Sequence, residues 1–471
     1  MNRGATPSRR CGACLLLAGL AGWLACSGGS AKTAGKDGAA GAGANHDGGG
    51  GGGGGGAGPG GAAGGNAHDA GGDARDAASP GIAVRGVAYD KLDMPIAGAN
   101  VRIGSTTVQT AADGSFEIDG VVVPYDLDAW TASNVFATIV DRYVGLTRAD
   151  PALHFLYTPL KAPHQSTLNV TLSAPLPANE VANCQFANPA RSEAMGQASG
   201  GVTSGSTFSL TVGWYTSATS ISGTLSCLVY KGITALAPTG YDSFGSVPVT
   251  LTNGTPTSAT LPLAPVTTAT LMVGVALGTA TSADVDGDLL IPGGALHPIG
   301  TASPIASNPT SVLIPQIAGA TFLLNAFGPT SNGQLITTRS GFALSATSIN
   351  LTLPAPVSLT SPADGATMVD TTTPLTWSAP AGAAINLNIS PTNVNNAYFS
   401  VYTTQGSATI PDLTAQGVPL PSGAAYGWDI TSFGTSVSVD DIASPSGFCG
   451  ISGLPGSCDF SEADARNLTL R

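Results

Sequence analysis

Three aspartates set two residues apart are where this 471-residue chain first offers chemistry. In the stretch ADVDGDLLIPGG, Asp284, Asp286 and Asp288 stand at alternate positions, and clustered carboxylate oxygens suit a hard cation such as calcium. An EF-hand would need glycine where Leu289 stands and a bidentate glutamate near Ala295, and both are missing. The run therefore has two readings, a plain acidic turn or an oxygen-rich calcium loop. Calcium is the only cofactor the ordered sequence offers, and His297 nearby reads as incidental. The pairs His46-Asp47 and His68-Asp69, with Asp73 and Asp76, lie on a glycine-rich stretch too loose to hold a metal firmly.

Cysteines are the second chemical resource. Cys11 and Cys14 precede an apolar run and Cys26 follows it, which leaves Cys184, Cys227, Cys449 and Cys458. Four is an even number, and none of the four has zinc-ligand spacing or a companion histidine, so structural disulfides in an oxidising compartment are expected. Three pairings are open. Cys184 with Cys227 and Cys449 with Cys458 is the simplest, because each bridge then stays local.

Catalytic signatures are missing. There is no G-x-S-x-G elbow, H-E-x-x-H helix or Walker loop, and His154 and His164 have no sequence-adjacent nucleophile. Asp126, Asp128 and Asp141 fall in a strand-rich region where carboxylates can meet across a sheet. The expectation is a non-enzymatic protein. An exported hydrolase with a site between residues 176 and 355 is the alternative.

The elements that must carry these residues begin with an export signal. Arg3, Arg9 and Arg10 form a basic start, Leu15 to Ala25 an apolar core, and small Ala25 precedes Cys26. The apolar run is shorter than the ~20 residues that span a bilayer. Trp23-Leu24-Ala25-Cys26-Ser27 resembles a bacterial lipobox, with Trp23 where leucine is usual, which implies a lipid on Cys26 and a membrane anchor. Ser27 onward is Gly, Ala and scattered Asp with no large apolar residue, and such a chain cannot offset its conformational entropy. As a coil of roughly 50 residues it reaches roughly 40 Å, enough to hold a module off a membrane surface. The net charge of -12 argues against a nucleic-acid partner, and 42% hydrophobic residues supply several cores.

Beyond Pro80 the chain reads as all-β. Segments such as FSLTVGW from Phe208, TATLMVGVAL from Thr268 and SINLTLPAPV from Ser348 are short, rich in Val, Thr, Leu and Ile, and bounded by Gly, Pro, Asn and Ser. Three segments, STLNVTLSAPLP from Ser166, TSATLPLAPV from Thr257 and SINLTLPAPV from Ser348, run from a strand into Ala-Pro at Ala174, Ala264 and Ala355, a spacing of about 90 residues that matches one β-sandwich. The expected organisation is a signal peptide at 1–25, a lipidated cysteine with a glycine-rich tether at 26–80, and tandem β-sandwich modules at 81–175, 176–266, 267–355 and 356–471.

Two modules show family resemblances. GVAYDKLDMPIAGANVRIGSTTVQTAADGSFEIDGVVVPYDL, from Gly86, resembles the carboxypeptidase regulatory-like domain, a transthyretin-like sandwich that acts as a scaffold or binding module. There Asp113-Gly114 reads as a hairpin turn, with Val101, Ile103, Phe116 and Ile118 facing inward. LTSPADGATMVDTTTPLTWSAP from Leu359, with LPSGAAYGWDI from Leu420, resembles a fibronectin type III or immunoglobulin-like domain. That resemblance implies a buried Trp377 and a tyrosine corner at Tyr426, with Trp428 in the core rather than on a ligand shelf. The whole layout is similar to multi-module surface lipoproteins of gliding Gram-negative bacteria, which implies an outer-membrane location and an unknown protein or polysaccharide partner.

Overall fold

In the computed structural model, the described residues are 81–471 apart from 91–92, 134, 159–163, 189–193, 198–201, 203, 215, 217, 233–237, 435–437 and 448–456. The signal region, Cys26, the tether with its histidines, and Cys449 lie outside them. Nearly all the regular secondary structure among the described residues is strand, as the residue pattern predicts; the helical pieces are the four-residue helix Val439–Ile442 and the single turn Thr414–Gln416.

The central element is a fourteen-stranded sheet. It runs from Leu296–Ala302 through Asp284–Leu290, Thr321–Thr330, Gly333–Ala343, Cys458–Ala463, Ala425–Phe433 and Ala384–Pro391. It continues through Ala397–Thr403, Thr138–Leu146, Tyr125–Ala132 and Asn100–Ile103 to Thr106–Gln109, with Ala366–Val369 and Arg466–Leu470 branching from it. Backbone pairing thus joins distant parts of the chain: Ala397–Thr403 lies parallel to Thr138–Leu146, and Gly333–Ala343 lies antiparallel to Cys458–Ala463.

Three small sheets pack on this long one. Residues of Ile82–Asp90, Ser115–Val121 and Ala152–Phe155 form one core with Leu127, Tyr143 and Tyr402. Thr267–Ala276 and its two neighbours form a second core with Val285, Leu324 and Leu335. Leu359, Leu375 and Trp377 of the third small sheet meet Leu387, Phe399 and Trp428. An eight-stranded sheet curls around its own core of Leu168, Phe186, Trp214 and Leu225. In it the Ala-Pro-terminated strands His164–Leu172 and Thr257–Leu261 pair in parallel, Leu172 beside Leu261, so the sequence repeat corresponds to equivalent neighbouring strands.

Local chemistry explains these elements. Val101, Ile103, Phe116 and Ile118 are buried, as their alternation predicts. Gly86 has no room for a side chain, because a Cβ there would sit 2.3 Å from the Phe116 ring and 2.5 Å from the Pro151 carbonyl. Asp113-Gly114 is a tight turn, with Gly114 at φ +75° and the Asp113 carboxylate accepting from the Ser115 amide at 3.1 Å. It is not a hairpin. Thr106–Gln109 pairs with Asn100–Ile103 while Ser115–Val121 pairs with Ile82–Asp90, so the turn carries the chain from one sheet to the other.

Candidate binding face and a buried serine-histidine relay

The disulfide Cys184–Cys227 forms between residues directly opposite each other on Glu180–Ala187 and Ser220–Lys231. Cys458 is also disulfide-bonded. On the opposite face of the same two strands from Cys184 and Cys227, the alternating side chains Asn183, Gln185 and Ser226 form a polar patch. His297, on Leu296–Ala302, docks into it and is fully buried. Its Nε2 lies 2.9 Å from the Ser226 hydroxyl and its Nδ1 lies 3.0 Å from Asn183 Oδ1. Because Gln185 Nε2 donates to that Asn183 oxygen, the network assigns the proton to Nδ1, which donates to Asn183, and leaves Nε2 accepting from Ser226. Gln185 also donates to the Leu296 carbonyl.

This geometry is that of a serine oriented toward a histidine base held by a third group. Its surroundings are not catalytic. Ser226 and His297 are both 0% exposed, so no substrate carbonyl can reach the serine oxygen. Burial pushes the His297 imidazole down to about 3, which keeps it neutral at physiological pH. The relay is a fully paired clasp between strands.

The long sheet carries a second polar assembly. Two rows of side chains cross it on one face. The first runs Asp429, Asn388, Ser400 and Asp141, each directly opposite the next on adjacent strands. The second runs Glu462, Thr431, Asn386, Tyr402 and Tyr143. Asn388 Nδ2 donates to Asp429 at 2.9 Å, while Asn388 Oδ1 accepts from Asn386 Nδ2 at 2.9 Å and from the Tyr398 hydroxyl at 2.7 Å. Phe136 stacks on Tyr398 with ring centroids 5.1 Å apart, and Tyr157 meets Tyr398 edge-on at 4.6 Å.

The electrostatics here differ from those of the clasp. Burial pushes the carboxyl of Asp429 up to about 6. Burial and the nearby Asp429 charge push Glu462 up to about 7. Asp141 is raised well above the carboxylate range by burial, against an opposing hydrogen bond with Ser400. Two other acidic groups on the long sheet have cations: Asp128 accepts from Arg102 at 2.7 Å, and Asp459 from Arg339 at 2.8 Å. Among the described residues no arginine or lysine pairs with Asp429 or Glu462. Asn388, Asp429, Glu462, Phe136 and Tyr157 remain half-buried, so solvent reaches the assembly.

The sequence-derived candidates fall in known places. Asp284, Asp286 and Asp288 lie in a strand rather than a loop, on one face of Asp284–Leu290. Asp286 accepts from Asn325 Nδ2 at 2.7 Å, Thr338 donates to Asn325 Oδ1 at 2.8 Å, and burial pushes Asp286 up to about 7. Among the described residues no group of three or more ligand-type side chains could hold a metal ion. Asp126 and Asp128 do not meet Asp141: Arg142 holds both of the former, and Asp141 projects from the opposite face of its strand. Trp377, Tyr426 and Trp428 are buried in one apolar core. Among the described residues the Tyr426 hydroxyl has no hydrogen-bond partner, so the tyrosine-corner bond expected from the resemblance is not made there.

No family model matches the chain, and no curated protein matches it. A solved structure described as a putative adhesin from Bacteroides ovatus is 11% identical, with TM-score 0.16, covering 41% of this chain and 94% of its own. A tetra-tandem repeat from the extending region of a large adhesion protein is 12% identical, with TM-score 0.14, covering 83% and 99%. A streptococcal ancillary pilin is 9% identical, with TM-score 0.12, covering 58% and 99%. At these scores the overlays carry no argument about this chain.

Proposed function

We infer that this chain is an exported bacterial lipoprotein whose all-β body serves a non-catalytic binding or structural role at the cell envelope. The observation that carries the reading is the long sheet. Strands from residues 100–146 and 384–433 hydrogen-bond side by side, so the body is stitched together by backbone pairing rather than strung as independent beads. Such a body resists local opening and presents its faces in fixed geometry. The sequence supplies the attachment: the lipobox-like Cys26 and a glycine-rich tether. Among the described residues, the serine-histidine pairing that resembles a catalytic device is closed to substrate, which supports binding over hydrolysis. Among the described residues no helix is long and apolar enough to cross a membrane.

The test is intact mass and detergent-phase partitioning of the protein expressed in a Gram-negative host, beside a Cys26→Ser variant. The expected result is acyl mass on the wild type alone, together with its entry into the detergent phase. Cleavage without lipid in both proteins would remove the anchor from this reading.

A further inference from the structure

We propose that the face formed by Asn388, Asp429 and Glu462, walled by Phe136 and Tyr157, is a binding site for the hydroxyl groups of a polysaccharide. The proposal rests on the binding reading above and names its partner class.

Hydrogen-bond accounting singles out this face. Asn386 is only 2% exposed, and its amide nitrogen is already committed to Asn388, yet its Oδ1 has no partner. Asp141, at the far end of the first row and also 2% exposed, leaves Oδ2 unpartnered. Buried polar atoms without partners are costly, and these two lie on the same sheet face as Asn388 and Asp429. The groups a ligand can reach on that face are the half-buried Asn388, Asp429 and Glu462, whose oxygens suit a ligand rich in hydroxyl donors.

Two features select a sugar over a cation. First, burial raises the carboxyls of Asp429 and Glu462 to about 6 and about 7, so near neutral pH the two groups can between them accept and donate, as a hydroxyl requires of its partner. A cation would need both carboxyls ionised in a setting that disfavours charge. Second, Phe136 and Tyr157 place half-buried ring surface beside the polar groups. An apolar wall next to a few fixed polar groups is the ordinary composition of a small-ligand site and matches the C–H and O–H faces of a sugar ring.

The experiment applies full-length, detergent-solubilised protein to an array of plant, algal and microbial polysaccharides at pH 7. Wild type is compared with Asn388→Ala, Asp429→Asn and Phe136→Ala, and with Glu117→Gln, a surface change elsewhere. Thermal melting confirms that each variant folds. The expected result is binding to at least one polysaccharide, weakened at least tenfold in Asn388→Ala and Phe136→Ala and unchanged in Glu117→Gln. Asp429→Asn keeps the shape, can no longer switch protonation, and is expected to weaken binding less than Asn388→Ala. No binding on the array, equal binding by folded variants, or tighter binding of polylysine than of any polysaccharide at this face would each overturn the proposal. Lipidation of Cys26 is measured separately, so a lipidated protein that binds no glycan refutes this site alone.

Discussion

The clasp around His297 and the rows around Asn388 are built from the same kinds of side chain and reach opposite outcomes. Around His297 the ring nitrogens and the Ser226 hydroxyl are paired, solvent is excluded, and the histidine is held neutral. Around Asn388 the carboxyls of Asp429 and Glu462 are half-buried, raised, without cations among the described residues, and backed by buried polar atoms that lack partners. A closed network adds specificity and strength to a fold, whereas an incompletely paired one that reaches solvent is a place for a ligand. Catalytic-looking geometry therefore does not mark the functional face here; unspent hydrogen-bonding capacity does.

The contrast breaks most visibly under mutation of the clasp. His297→Ala removes a fully buried ring and leaves Ser226 and Asn183 facing a void, and should cost about 3–5 kcal/mol in urea unfolding. A loss below about 1 kcal/mol would show that the clasp is dispensable. The disulfide beneath it comes next: the double change Cys184→Ala with Cys227→Ala should lower stability by about 2–4 kcal/mol, measured against the oxidised wild type. Ser226→Ala strips one hydroxyl from the buried imidazole and should cost about 1–3 kcal/mol.

The smallest effect sharpens the comparison through its sign. His297 has a folded pKa below its unfolded value, so its contribution is present above about 6.5 and is lost as pH falls toward about 3. Asp429 and Glu462 have folded values above their unfolded ones, so their contribution is present below about 4 and is lost as pH rises through about 6 to 7. The double variant Asp429→Asn with Glu462→Gln should therefore melt with wild type at pH 4 and a few degrees above it at pH 8. Equal melting at both values would mean that these carboxyls are solvated.

Much of the fold was legible and the site only half so. INLNIS alternates Ile385, Leu387 and Ile389 with Asn386, Asn388 and Ser390, and YGWDIT does the same around Asp429, so each strand declares one apolar and one polar face. Which strands lie side by side is a matter of long-range register, and nothing local pairs Asp141 with Ser400 or Thr431 with Glu462. The clasp was hidden for the same reason, since His297 meets partners 71 and 114 residues away. The aspartates at 284, 286 and 288 read as a turn or a loop and lie in a strand, because alternate acidic residues suit a loop and the polar face of a strand equally well. Asp113-Gly114 marks a turn, but a turn signal does not say whether the flanking strands share a sheet.

Hydrogen-deuterium exchange with and without the tightest-binding polysaccharide from the array tests the central contrast most directly. The account predicts new protection in peptides covering Ala384–Pro391, Ala425–Phe433 and Cys458–Ala463, and none in those covering Ser220–Lys231 and Leu296–Ala302. Protection centred on the His297 clasp, or spread evenly over the body, would contradict it.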